Sequence, residues 1–312
     1  MTNSEHDMGI GRTAVTSTAT ALNRPARGMR VPVVGGIFRF ARRQPLGTFG
    51  ALVILTLVLV AAFASVIAPA DPLAQAQREA LMAPGAAHLA GTDQFGRDIF
   101  SRLIYGARVS LYVGIGAVLL AVIPATIVGV ASAFFGGTFD YLVQRVVDAV
   151  QAIPGLILLI VIMTVLGVSL TNIVIALALP ASISESRVMR SATTQIANSE
   201  YVAAARALGA TDARLMFRHI LPNIVSPIIV VASLGFGRFI LAESTLSFLG
   251  YGILPPAPSW GGMLAAEGRA YMFAAPWLLW APAVALSLVV FGANMFGDAL
   301  RDELDPRLRG TR

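Results

Sequence analysis

The sequence predicts an all-α integral membrane protein with six membrane-spanning helices. Three observations carry that prediction: a charge-poor composition, a series of apolar runs of spanning length, and arginines gathered at the edges of those runs. Of 312 residues, 56% are hydrophobic and only 13% charged, and the mean hydropathy is +0.74. Soluble domains carry about a quarter charged residues, so this balance belongs to a membrane protein.

The chain opens on a polar stretch, residues 1–35, rich in Ser, Thr, Ala and Gly and bearing Arg12, Arg24, Arg27 and Arg30. It lacks helical periodicity and is expected to be a disordered cytoplasmic tail, leaving 36–312 as the transmembrane domain. A cleaved signal peptide is not expected, because the first long apolar run starts near Leu46. Crossing ~30 Å of hydrocarbon takes about 20 mostly apolar residues. Residues 46–68, 109–135, 146–166 and 274–299 meet that length readily, and 224–249 meets it despite Arg238 and Glu243. The difficult segment is 173–191, whose apolar run soon reaches Pro180, Ser182, Ser184, Glu185 and Ser186. Hydropathy alone would miss it.

Charge and parity decide the count. Arg39, Arg42 and Arg43 precede the first run, and Arg301, Arg307, Arg309 and Arg312 follow the last. Arginine-rich flanks stay on the cytoplasmic side, so both termini belong inside and the number of crossings is even. Six crossings also place Arg187, Arg190, Arg206, Arg214 and Arg218 inside. The loop 69–108 resists this rule, since it holds Arg78, Arg97, Arg102 and Arg108 on the outer side. The expected location is the plasma (inner) membrane of a prokaryote.

The same composition excludes much chemistry. There is no Lys, which removes a phosphate-binding P-loop and lysine Schiff bases. There is no Cys, which removes disulfides and thiolate sites. His6, His88 and His219 are too scattered for a local metal motif. The net charge of +6 sits at membrane edges rather than in a nucleic-acid-binding patch. The chain is therefore read as non-enzymatic, with no metal and no cofactor of its own.

Three groups of residues stand out. The cytoplasmic stretch SEYVAAARALGATDARLMFRHILPN, 199–223, reads as two short helices. Ser199 is placed to cap the first and Thr211 the second, Gly209 suits the left-handed position between them, and Pro222 opens the next membrane helix. A sharp bend with a small-residue face would suit a partner's groove; the plainer reading is a connecting loop. In the second group, HLAGTDQFGRDIFSRLIYGARVSL, 88–111, Asp93 is placed to cap a helix from near Phe95, with Ile99, Leu103 and Ala107 as one apolar stripe. The third group is the intramembrane charges Glu185, Arg238 and Glu243. Arg238 and Glu243 are five residues apart and so do not face each other on one helix, and each should meet another helix, a partner or the solute path.

The cytoplasmic stretch resembles the EAA loop of ABC importer permeases, E-A-A-x3-G-x9-I-x-L-P. Ala203, Ala204, Ala205, Gly209, Leu221 and Pro222 stand at the motif positions, with Glu200 at the start of the helix. Ala203 replaces the usual Glu, and His219 the usual Ile. The segment 88–111, with Gly91, Thr92, Asp93, Gly96, Arg97 and Asp98, is similar to the external-loop signature of the C-type permease of dipeptide, oligopeptide and nickel importers. ESTLSFLGYG (243–252), PPAPSWGGML (255–264) and GDALRDELDPRLR (297–309) resemble the same family, in order, across residues 39–309.

The resemblance implies a type I importer permease fold and four kinds of neighbour. These are a second homologous permease, two ABC ATPase subunits or domains that bind the ATP and Mg, an extracytoplasmic solute-binding protein, and the lipid bilayer. It implies peptide as the solute class, with nickel chelates or another small solute as alternatives. An ATP-independent secondary transporter or channel and a purely structural membrane subunit are the other readings.

Overall fold

The computed structural model describes residues 40–304. The tail 1–35 and the last arginines, Arg307, Arg309 and Arg312, lie outside the described residues. The first crossing, α1 (Pro45–Ala62), continues after a one-residue break into the single turn α2 (Ala64–Ile67). Pro45 sits at the start of α1, where a missing N–H interrupts no intrahelical bond. A long loop, 68–98, leads to α3.

Helix α3 (Ile99–Phe135) has 37 residues. At 1.5 Å per residue it is about 56 Å long, well over the hydrocarbon thickness. It begins ten residues before the predicted run at 109, because Arg102 and Arg108 lower the local hydropathy without breaking the helix. The cap also differs from expectation. Asp98, not Asp93, caps the helix, with Oδ2 accepting from the Ser101 N–H at 2.7 Å. Asp93 Oδ1 accepts from the Phe95 and Arg97 N–H groups at 2.8 and 2.9 Å. Those bonds close a turn through Gly96, whose φ is +72°; a chain turning there cannot be helical from Phe95. The predicted stripe stands: Ile99 and Ala107 are buried and Leu103 packs beside them.

The segment expected to cross once at 146–166 is two helices, α4 (Gly137–Gln151) and α5 (Gly155–Leu166), bent by 92°. Pro154 accounts for the break, since it offers no N–H to the preceding turn and forces Ile153 away from helical geometry. Helix α4 is amphipathic. Phe139, Leu142 and Val146 are exposed, while Asp140, Gln144, Asp148 and Gln151 meet α6.

Helix α6 (Leu170–Ala197) is the segment hydropathy disfavours. With 28 residues it is long enough to span, at about 42 Å. Its charges are matched by neighbours rather than by lipid. Arg190 pairs with Asp140, which also accepts from Ser132 Oγ. Arg187 reaches Gln144, Gln151 and Asp148. Helices α3 and α6 pack closely because Ala117, Ala121, Ala125 and Gly129 recur every fourth residue on the buried face of α3. A Cβ at Gly129 would stand 2.5 Å from the Ser186 carbonyl oxygen, so the two backbones touch there. In lipid, where apolar burial gives no preference for protein over tails, such close contact is what holds helices together.

After α6 come α7 (Glu200–Ala207), α8 (Asp212–Arg214) with a π-turn at Leu215–Ile220, and a 3-10 turn at Leu221–Asn223. Pro222 thus lies in the turn before α9 (Val225–Phe248) rather than opening it. The short α10 (Trp260–Gly262), continuing as a π-turn at Met263–Gly268, precedes α11 (Trp277–Leu304). One core joins α3, α5, α6 and α9 around Ala121, Met163, Leu177 and Phe239; a second joins α1, α3, α9 and α11 around Leu57, Ala107, Ile240 and Val289. Among the described residues there is no strand. Four helices there, α1, α3, α9 and α11, are long and apolar enough to cross a membrane, and the bent pair α4–α5 adds a fifth if it is one broken span rather than a re-entrant loop. The expected sixth, α6, has the length but not the composition.

Candidate functional site

The segment between α6 and α9 forms two short helices joined at a sharp bend. The bend is a Schellman turn: the Gly209 N–H donates to the Arg206 carbonyl at 3.0 Å and the Ala210 N–H to the Ala205 carbonyl at 3.1 Å. Gly209 has φ +82°, as its place predicts, and no atom lies within 4 Å of where its Cβ would be. Thr211 Oγ1 accepts from the Arg214 N–H at 3.3 Å and caps α8. Ser199 occupies the N-cap of α7 but does not cap it with its side chain, since its hydroxyl donates back to the Ile196 carbonyl at 2.6 Å.

Val202, Leu215, Ile220 and Ile224 are fully buried and anchor this unit to the membrane helices. The opposite side is bare. Ala203 and Ala204 are exposed, Ala205 is half-buried, Leu208 is 88% exposed and Phe217 69%. Glu200 is exposed on the first turn of α7. His219 is half-buried, and its carbonyl accepts from Asn223 Nδ2 at 2.6 Å, holding the turn that carries Leu221 and Pro222.

Of the three membrane charges, the structure brings two together. Arg238 Nη2 of α9 donates to Glu185 Oε1 of α6 at 2.6 Å. Glu185 is buried, whereas the Arg238 side chain is 60% exposed. Glu243 is fully buried and turns back on its own helix, accepting from Ser247 Oγ at 2.7 Å and Ser244 Oγ at 3.4 Å. Within this chain the hydrogen bonds of Glu243 are local rather than to another helix, because serines lie one and four residues on.

The signature loop is built inward. Thr92 and Asp93 are fully buried, and Arg97 and Asp98 nearly so. Asp93 Oδ2 accepts from Arg97 Nε and lies 3.8 Å from Arg102 Nε. Arg102 Nη1 donates to the carbonyls of Pro72 and Pro256, each at 3.3 Å, tying this loop to the one before α10. Gly91, at φ +76°, packs under Trp277, whose Nε1 donates to the Thr92 carbonyl at 3.1 Å. The signature residues thus fold the loop and fasten it to α3 and α11.

Sequence reasoning passed over His88, Arg102 and the polar seam of Asp140, Arg187 and Arg190. The available signal was their charge inside long helical or loop segments that hydropathy treats only as noise. His88 Nδ1 meets Asp98 Oδ1 at 3.0 Å and Nε2 meets Glu79 Oε2 at 3.3 Å. The hydrogen bond to Asp98 raises the His88 pKa above its ordinary 6.5, against a smaller opposing effect of burial and with help from Glu79. A histidine raised on folding stabilises the loop fully below about pH 6.5, and that contribution is lost as pH rises through the raised value. Hydrogen exchange across 79–98, corrected for intrinsic rates, should therefore quicken toward alkaline pH. In His88→Asn this pH dependence should vanish.

Residues 125–310 match the family described as "Binding-protein-dependent transport system inner membrane component". Residues 36–84 match the "N-terminal TM domain of oligopeptide transport permease C". The chain belongs to the binding-protein-dependent inner membrane component family. Relatives agree. It is 40% identical to the dipeptide transport system permease protein DppC of Alkalihalophilus pseudofirmus, over 87% of this chain and 89% of that one. It is 41% identical to the di/tripeptide permease DppC of Pseudomonas aeruginosa, over 84% and 88%. It is 39% identical to the glutathione permease GsiD of Escherichia coli, over 88% and 90%.

Among solved structures, the inward-facing MetNI methionine ABC transporter matches with a TM-score of 0.54 and 18% identity, over 65% of this chain and 96% of that one. That likeness concerns fold, and the fold is the type I importer permease fold. This inner membrane component is a multi-pass permease subunit, and the expected family and fold are both found.

Proposed function

We propose that this family member forms, with a second homologous permease, the translocation path for peptides delivered by an extracytoplasmic solute-binding protein. Two ATPase subunits or domains bind the ATP and Mg and supply the energy. The observation that carries this reading is the unit α7–α8. It is anchored from beneath by Val202, Leu215 and Ile220 and bare on its outer side at Ala203, Ala204 and Leu208. An exposed apolar surface on a rigid bend is the form expected of a knob that enters a partner's groove. The peptide class rests on the dipeptide and di/tripeptide permeases among the relatives.

Movement at that knob has a route into the membrane. Helix α7 follows α6 after only Asn198 and Ser199, and α6 is tied to α9 by Glu185 and Arg238. A shift of the docked unit would tilt α6 and carry α9 with it, opening the path alternately to either side. The proposed topology has six crossings, counting α6, with both termini and the segment 187–218 in the cytoplasm. Nothing in this reading involves nucleic acid.

Reconstitution tests it. The isolated chain should hydrolyse no ATP, having no Lys for a P-loop. Proteoliposomes holding both permeases and the ATPases should take up a labelled dipeptide when ATP and the loaded binding protein are supplied. Hydrolysis by the isolated chain, or uptake without ATP, would reject the proposal.

A further inference from the structure

We infer that Arg238 is a docking point for the carboxylate of the solute as it passes through the membrane, an assignment that rests on the peptide-importer reading. Thirteen residues of α9 precede Arg238 (225–237) and ten follow it (239–248). At 1.5 Å per residue that leaves about 20 Å and 15 Å of helix on either side, so the guanidinium lies deep in the span. It is nonetheless 60% exposed. A guanidinium exposed at that depth does not face lipid tails; it faces water or another protein.

The geometry favours a path. Glu185 takes only Nη2, and among the described residues Arg238 has no other recorded partner. Its planar fork therefore keeps donors for a second carboxylate, which it would bind in bidentate fashion. Glu185 holds the fork in place from the buried side. Farther along the same helices, beyond the pair, there is further space. A cavity of about 430 Å³ lies between α6, α9 and α11, lined by Val188, Pro227, Val231 and Arg301 among others. Val188 is one turn beyond Glu185 on α6, and Val231 two turns before Arg238 on α9. Arg301 gives this cavity a positive group of its own. A carboxylate leaving Arg238 along these helices would meet another arginine on a mostly apolar wall.

The test uses the whole transporter in proteoliposomes, with labelled dialanine and its C-terminal amide as probes. Affinity of the binding protein for each is measured separately, and uptake is read at saturation and per assembled complex. Wild type should carry the acid faster than the amide. Arg238→Gln should slow the acid at least about tenfold, equivalent to 1.4 kcal/mol, and bring the acid-to-amide ratio close to one. Arg238→Lys should keep the preference in part. Equal slowing of both probes by Arg238→Gln would overturn the inference and leave Arg238 as a structural partner of Glu185. A second arm depends on no solute: Arg238→Cys, in a chain without native cysteine, should react with an impermeant methanethiosulfonate. Absence of labelling would overturn the inference while the importer reading stands. Uptake of neither probe by wild type would instead remove the peptide reading, and this assignment with it.

Discussion

Replacing Gly209 with valine is expected to cut coupled transport sharply while leaving the protein in the membrane. Gly209 sits at φ +82° in open space, so the new side chain meets no neighbour and the whole penalty is backbone strain. For a β-branched residue in that region the strain is about 1–3 kcal/mol. The Schellman bonds from Gly209 and Ala210 fix the angle between α7 and α8, and relief of the strain would rotate Leu208 and the alanine face away from the partner. The membrane helices are held by contacts far from the bend, including the close approach at Gly129. Uptake per assembled complex should fall on the order of tenfold or more, with normal abundance in the membrane. Ala204→Glu, on the exposed face of α7, should act alike by placing charge in the groove. On a surface without a partner the same change would stay within about 0.5 kcal/mol. Wild-type uptake by both variants would remove this segment from the coupling route.

The second large effect belongs to Asp93. Its carboxylate is fully buried, accepts two backbone N–H groups and sits between Arg97 and Arg102, both also buried. Asp93→Ala takes the counter-charge from two desolvated guanidiniums, a change that costs about 3–5 kcal/mol for a buried pair. The whole loop 68–98 should loosen, and with it the attachment of the loop before α10 through Arg102 and Pro256. The thermal midpoint of the purified complex should drop, and Asp93→Asn, which keeps the backbone acceptor, should lie between wild type and Ala. A midpoint unchanged in Asp93→Ala would contradict the scaffold role assigned to the signature.

Much of this was legible in the residues. The apolar runs located α1, α3, α9 and α11, because burial in lipid requires long uninterrupted hydropathy and little else. Gly209 was legible because a left-handed helix stop has a local chemical signature. What escaped depended on tertiary partners. Asp93 and Asp98 are both plausible caps by composition, and the choice falls to the turn at Gly96, which the sequence does not rank. Pro154 was visible inside its run, but its effect ranges from a mild kink to the observed 92° bend, and neighbouring helices decide which. Helix α6 reads as polar in sequence, and only the fold shows that its Arg190 and Arg187 meet Asp140 and Asp148. Arg238 and Glu243 were rightly denied to each other by their spacing. Spacing on one helix says nothing about Glu185 on another, nor that Glu243 would be satisfied by its own serines.

The most direct measurement is two-sided labelling and cross-linking on the cysteine-free chain. Leu208→Cys, at the bare tip of α7, and Ala257→Cys, on the exposed loop before α10, are placed singly in the complete complex in sealed, right-side-out vesicles. An impermeant maleimide should modify residue 257 at once and residue 208 only after permeabilisation, and a cysteine at 208 should cross-link to the ATPase subunit in the assembled complex. Modification of both from one side, or a residue 208 that stays fully reactive and cross-links to nothing in that complex, would contradict the assignment of this chain as a permease driven through its cytoplasmic bend.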